Sequence, residues 1–346
     1  MQPKVYVLIL NWNGWKDSLE CLESAFRLDY DPYQVVVCDN ASKDHSMDYI
    51  RSWAKGQETV KIDKNHPMAG FSHPPVPKPV DFIEHTRVQA ESGDVGRDDQ
   101  VPLVLIQTGD NLGFAGGNNV GLRYILNRGD ADYIWLLNND TVADPLCLKR
   151  MVDYSADQPD PNMCGCRILF YDEPEVIQVL GGAAYNKWTG LARHVGLDKS
   201  IHDTIDPGQY EKQISYIVGA SWLIPNSFLN DVGLMEESYF LYYEENDWCV
   251  RGSDKYRLCY ADDALVYHKE GRSIGSSSDK RKTSLFSDYY AFRNQIDFTR
   301  KFYPEALPMV YTTTFLQALN RMRRGQWDKA GLILRIMMGK REKIIP

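Results

Sequence analysis

At 346 residues the chain has room for two domains, or for one large domain with appendages, and 43% hydrophobic with 12% aromatic residues exclude global disorder. A net charge of −8 and a pI near 5.4 exclude general affinity for nucleic acid. Seven cysteines without a CxxC pair exclude a cysteine zinc site and read as buried free thiols of a reducing, cytoplasmic compartment. The opening MQPKVYVLILNWNGW turns polar too soon for a signal peptide, and no window reaches 18 apolar residues.

Four short apolar runs come first. Residues 5–10 end in Asn11-Trp12-Asn13-Gly14, and a helical pattern follows with Leu19, Leu22, Ala25 and Phe26 on one face. Residues 35–38 end in Asp39-Asn40, and ASKDHSMDYIRSW reads as a capped helix start. Residues 103–106 precede GDNLGFAGGNNVG and a helix through about Asn127, and residues 133–137 end in Asn138-Asn139-Asp140. Continuous apolar runs alternating with helical patterns predict an α/β fold with a mostly parallel sheet covered on both faces. Between the second and third runs, residues 60–101 are rich in Pro, His and charge. They read as an inserted flexible surface loop or partly ordered insertion, with His66, His73 and His85 as solvated side chains; metal binding by them is the alternative.

All four runs end in polar residues. Ligands of an open parallel sheet bind beyond the carboxyl ends of its strands, so these ends predict one polar crevice containing Asp140. A dinucleotide fingerprint is absent from NWNGWK, and no GxxxxGK[ST] occurs. The glycines of NLGFAGGNN allow close backbone approach to a ligand, and the helix start there offers N–H groups to an anion; a plain tight turn is the alternative. Asp39 suits a base N–H or ribose hydroxyls. Asp140 among neutral Asn neighbours suits Mg²⁺ or Mn²⁺ that keeps water and phosphate ligands.

The second half holds VGLMEESYFLYYEENDWCVRG, residues 232–252, where Glu244 and Glu245 sit among aromatics. They read either as a solvated helix start or as carboxylates raised in pKa for general-base work. His268 ends a further apolar run and is a reasonable Mn²⁺ ligand beside a carboxylate. Arg293 lies on a predicted helix among Tyr289, Tyr290 and Phe292, with a fork suited to phosphate. From Asn320 to Pro346, eight Lys/Arg stand against two Asp/Glu, a net +6. That apolar, basic tail suits an anionic membrane surface; a packed helix or a homodimer contact is the alternative.

In this order, VLILNWNG, VVVCDNASKD, NLGFAGGNNVGL, WLLNNDT, VGASWLIPNSFLNDVGLMEESYFLYYEENDWCVR, VYHKEGRS and YYAFRNQ resemble the family 2 inverting glycosyltransferases of GT-A fold, rhamnosyltransferase-like members above all. The resemblance covers about residues 4–300. It implies a Rossmann-like GT-A domain over 1–300 and a helical, basic extension over 301–346. It implies nucleotide contacts by Asn11 and Asp39, a nucleotide-sugar pocket lined by Asn111, Gly113 and Asn118, and donor phosphate held by Arg293. Asn138-Asn139-Asp140 takes the place of the DxD metal motif, with Asp140 and His268 as ligands of Mg²⁺ or Mn²⁺; Asn138 stands where the motif has Asp. Glu244-Glu245 matches the acidic pair, with Glu245 as the base, longer by a methylene than the usual Asp. The implied donor is dTDP-rhamnose or a UDP-sugar. The acceptor is a glycan or lipid-linked saccharide in cell-surface polysaccharide synthesis, selected by loops around 170–215. Competing readings are a nucleotidylyltransferase, which NWNGWKD does not suit, and a degenerate nucleotide-sugar-binding module.

Overall fold

The computed structural model describes residues 2–93, 101–269 and 283–340. The first half runs β1 (Val5–Asn11), α1 (Trp15–Ala25), β2 (Tyr33–Asp39), α2 (Ser46–Ala54), β3 (Phe82–Thr86), α3 (Arg87–Ser92), β4 (Leu103–Gln107), α4 (Gly113–Arg128) and β5 (Tyr133–Asn138). The middle runs β6 (Thr141–Ala143), α5 (Cys147–Ala156), β7 (Asn162–Phe170), β8 (Ile177–Leu180), β9 (Gly182–Asn186), β10 (Leu191–His194), α6 (Pro207–Glu211), β11 (Tyr216–Ile217) and β12 (Ser221–Pro225). Then come α7 (Asn226–Val232), α8 (Glu244–Gly252), β13 (Arg257–His268), α9 (Leu285–Phe302), α10 (Leu307–Arg323) and α11 (Trp327–Met337).

One sheet carries the fold, in the order β3-β4-β2-β1-β5-β12-β7-β13-β6, with β8 paired to β7. Its first five strands are parallel, and β12 enters antiparallel to both β5 and β7. Successive side chains of a strand point to opposite faces. Val5, Val7 and Ile9 of β1 accordingly join one core with α1, α2 and α5, while Tyr6 and Leu8 join another with α4 and α8. Both faces are apolar because helices cover both, which is why the strands read as continuous runs.

Glycines of NLGFAGGNNVG are needed for the protein's own packing. A Cβ on Gly121 would lie 2.4 Å from Leu8 Cδ1, so α4 sits too close to β1 for any side chain there. Residues 60–93, within the segment read as a loop, contain β3, the parallel edge strand beside β4, and the capped helix α3. Val60, Met68, Ala69, Val76 and Val80 are buried, and the Lys78 ammonium lies 3.1 Å from the centroid of a Trp53 ring. Burial of these side chains orders a stretch whose sequence shows little periodicity.

The boundary expected at 300/301 falls inside α9. A third core of Tyr289, Tyr290, Phe292 and Ile296 with Ala318, Leu332, Ile333 and Ile336 joins α9, α10 and α11. Leu241 belongs to it, which ties these helices to the segment preceding α8. Among the described residues no helix is long and apolar enough to cross a membrane.

Candidate active site

The carboxyl ends of β1, β2, β4 and β5 meet at one crevice. There Asn11 Nδ2 donates to Asp39 Oδ1 (2.6 Å) and to Ser42 Oγ (3.1 Å), while Ser18 Oγ donates to Asn11 Oδ1 (2.7 Å). Asp39 accepts twice more, from Ser42 N (3.0 Å) and Ser42 Oγ (2.6 Å). Asn139 Nδ2 reaches Ser18 Oγ at 3.0 Å. Short side chains at strand ends thus fix each other's loops, as Asn and Asp do in turns.

Around this frame opens a cavity of about 710 Å³. Its wall includes Asn111, Gly113, Asn138, Asn139, Asp140, Glu244, Glu245 and His268, eight of the residues singled out from sequence. Four others stand elsewhere. Asn11 and Asp39 are buried just behind the wall, committed to the contacts above. Asn118 is buried within α4, donating to Phe114 O (3.0 Å). Arg293 faces a different, smaller cleft with Glu236, Asp297 and Lys301, and its guanidinium donates to the carbonyls of Ser238 and Tyr239 (3.1 Å to the latter). It anchors the turn before α8 and does not reach the crevice. Among the described residues, the arginines that line the large cavity are Arg193 and Arg321. Nor does the α4 start hold out open N–H groups: Leu112 N donates to Asn40 Oδ1, Gly113 N to Asn111 Oδ1 (each 3.0 Å) and Phe114 N to Phe240 O (2.7 Å).

Asp140 follows β5 directly. Its Oδ1 lies 3.2 Å from His268 Nε2, at the end of β13, and its backbone oxygen accepts from Lys269 N (3.0 Å). Burial disfavours the charged carboxylate, but the charge and hydrogen bond of His268, with Lys269 beyond, hold its pKa below the ordinary value. Lys269 is itself held in a buried cluster, donating to Asp17 Oδ1 (2.8 Å) and Glu20 Oε2 (2.5 Å). Among the described residues no three His, Cys, Asp or Glu side chains gather as a metal cage. One carboxylate and one imidazole at a cavity wall nevertheless fit a divalent cation of the kind that keeps water and phosphate oxygens as its remaining ligands.

The second acidic group begins α8. Phe240 (φ 64°), Tyr242 (φ 66°) and Tyr243 (φ 77°) precede it in left-handed backbone that bulky residues rarely adopt. The turn is held from outside: Asn294 Nδ2 donates to the carbonyls of Tyr239 (2.9 Å), Leu241 (2.7 Å) and Tyr242 (2.9 Å). Glu245 Oε1 accepts from Gly219 N (2.9 Å), whereas Glu244 Oε2 is buried without a hydrogen-bond partner among the described residues. Burial, then the neighbouring Glu245 charge, pushes Glu244 up to about 8; burial pushes Glu245 up to about 7 against the Gly219 bond. Two carboxyls near neutrality at one wall can exchange protons with a bound hydroxyl.

Residues 6–69 match the family model described as Glycosyl transferase family 2. The matched stretch spans β1, α1, β2 and α2, and over it the chain is similar to that family. A low-salt glycan biosynthesis hexosyltransferase of Haloferax volcanii is 24% identical to it over 221 residues, 60% of this chain and 64% of that protein. A dTDP-rhamnosyl transferase of Shigella flexneri is 25% identical over 147 residues, 42% of this chain and 45% of that protein. The chain therefore spans less than two thirds of either relative's length. Among solved structures, a mannosyltransferase of Pyrobaculum calidifontis in complex with GDP-Man and Mn²⁺ matches 98% of this chain and 87% of its own, with a TM-score of 0.52 at 13% identity. GalNAc-T7 with UDP, GalNAc and Mn²⁺ matches 85% of this chain and 51% of its own, with a TM-score of 0.50 at 13% identity. The domain has the GT-A fold that these likenesses indicate.

Several lining residues of the domain carried no signal in the sequence. Gln178, Arg193, His194, Gln317 and Arg321 come from elements far apart in the chain. Gln178, Arg193 and His194 fall in the 170–215 region expected to face an acceptor, but no spacing marked them individually.

Proposed function

We propose that this chain is an inverting glycosyltransferase that moves a sugar from a nucleotide-sugar donor to a hydroxyl of a glycan or lipid-linked acceptor. The single observation that carries the reading is the meeting of two different acidic groups at one cavity wall: the Asp140–His268 pair and the Glu244–Glu245 pair. The first is suited to a metal-bound diphosphate and the second to a proton.

Asn11 and Asp39 brace the loops against which the nucleoside lies. Asp140 and His268 would hold Mg²⁺ or Mn²⁺, whose charge would offset that of the donor's diphosphate as it leaves. Arg193 or Arg321 takes the charge-balancing role first expected of Arg293. Glu245, fixed through Oε1 by Gly219 N–H, accepts the proton of the acceptor hydroxyl as that oxygen attacks the anomeric carbon in line. Glu244, buried beside it, retains its proton and spares the site a second negative charge. One displacement inverts the configuration without a nucleophilic Ser or Cys. The dTDP-rhamnosyl transferase among the relatives, and the GDP-Man and UDP bound in the structural neighbours, make dTDP, UDP and GDP the nucleotides to test.

An anionic membrane surface is proposed as a further partner. Met309, Phe315, Leu316 and Leu319 are exposed along α10, Trp327 follows, and Arg323 and Arg324 border them. The helix whose outer side carries this stripe also supplies Gln317 and Arg321 to the cavity wall, an arrangement suited to a lipid-linked acceptor.

Calorimetric titration with dTDP, UDP and GDP and their sugars, with and without Mn²⁺, tests the donor site. Metal-dependent binding of one nucleotide is expected; no binding to a folded chain overturns the reading. Glu245→Gln is then expected to abolish transfer and spare donor binding. Asn138, in place of the motif's first Asp, favours one second reading, a binding module without transfer. In that case wild type binds the donor and transfers nothing.

A further inference from the structure

The His268 imidazole has two nitrogens, and each faces a hydrogen-bond acceptor. Nε2 lies 3.2 Å from Asp140 Oδ1, and Nδ1 lies 2.8 Å from Oε1 of Gln178 on β8. A protonated ring donates to both, as in the ion pair with Asp140, but a metal ligand must be the neutral imidazole, whose one N–H can satisfy only one of the two. The Gln178 contact is the shorter. Gln178 is 4% exposed and held on a strand paired to β7, so its carboxamide is fixed in place. With the proton on Nδ1, the lone pair of Nε2 points at a carboxylate oxygen. Two acceptors at that separation repel unless a cation lies between them.

We propose that Gln178 is a positioning residue: by accepting the Nδ1 proton of His268 it fixes the tautomer that turns Nε2 and Asp140 into a paired donor set for a divalent cation. The inference rests on the metal reading of that pair. It adds a residue that no motif marks, from a strand 90 positions before the histidine. Outer partners of metal-bound histidines act this way, and their loss typically weakens metal affinity about 10–100-fold.

The placement of β8 has a further effect. Ile177 N donates to Lys199 O (2.7 Å), and Leu180 N to Val195 O (2.8 Å), in the segment that continues from Arg193 and His194. Gln178 thus ties the candidate metal ligand to the loop region that lines the other part of the cavity. A shift of that region reaches His268 through one carboxamide.

The test uses Gln178→Leu and Gln178→Glu in the full chain, with circular dichroism to confirm folding. The first removes the acceptor at similar volume; the second keeps it. Histidine ¹⁵N NMR without metal reads the tautomer, with His268→Ala assigning the signal, and Mn²⁺ alone, followed by its EPR signal, reads affinity. Expected are an Nδ1–H tautomer in wild type and Gln178→Glu, its loss in Gln178→Leu, and Mn²⁺ binding weakened about 10–100-fold in Gln178→Leu only. An unchanged tautomer in Gln178→Leu, or equal Mn²⁺ affinity in all three proteins, overturns the role of Gln178. Wild type that shows the tautomer but binds no Mn²⁺ overturns the metal reading instead, so the two failures are distinguishable.

Discussion

The Glu244–Glu245 pair makes the most direct residue-scale predictions. Only an ionised carboxylate accepts a proton, and both groups are raised towards neutrality, to about 8 and about 7. Transfer rate is therefore expected to climb with pH through about 7, an acid limb that Glu245→Asp shifts and Glu245→Gln removes along with activity; a pH–rate profile checks it. Stability runs the opposite way. A carboxyl whose folded pKa is raised stabilises the fold below its unfolded pKa, and that contribution is lost as pH rises through the folded value. Glu244→Gln stays neutral throughout, so its Tm advantage over wild type should widen between pH 6 and pH 9. An equal gap at both values would mean that Glu244 does not titrate in this range. At Lys269, removing the ammonium leaves Asp17 and Glu20 without their cation. Lys269→Met should cost about 3 kcal/mol in urea unfolding, the usual loss for half of a buried pair.

At the scale of elements, the letters were most informative where one local rule governs. The four apolar runs became β1, β2, β4 and β5 because burial on both faces leaves an unbroken signature. Asp140 and His268 were legible because each ends such a run. Arg293 was misread because a helical pattern does not reveal which way a side chain leaves a helix that packs against several partners. Gln178 was illegible because its meaning comes from a histidine on another strand. The turn at 240–243 was likewise hidden: three aromatics at positive φ contradict local propensity, and only the Asn294 contacts explain them. Gly113 meets this turn, where a Cβ would fall 2.2 Å from Phe240 O in backbone already at φ +73°. Gly113→Ala is expected to lower stability by about 1–3 kcal/mol and to weaken nucleotide binding with it; thermal melts and titration calorimetry read both.

For the whole molecule, the C-terminal helices are built into the fold rather than appended to it: Phe286 of α9 and Gln317 and Arg321 of α10 line the cavity, and α11 packs against both helices. The boundary expected at 300 lies where the quoted motifs end, whereas the packing of α9 against α10 and α11 runs across it. The exposed α10 stripe leads to a sedimentation test. Wild type should pellet with phosphatidylglycerol-containing vesicles more than with phosphatidylcholine alone, and less as salt rises. Phe315→Ser with Leu316→Ser should abolish pelleting; equal pelleting by the double variant would sink the membrane proposal.

The Asn139–Asp140 step joins β5 to β6, yet the sheet places those strands at opposite ends of the path β5-β12-β7-β13-β6. Two residues therefore close a circuit of five strands. Most surface connections tolerate added residues, because a loop can bulge into water. This one cannot lengthen without pulling β6 off β13 and His268 away from Asp140. The length of the step is thus as constrained as the identity of Asp140 within it. A single residue inserted after Asn139 should be more damaging than several inserted beside Gly208.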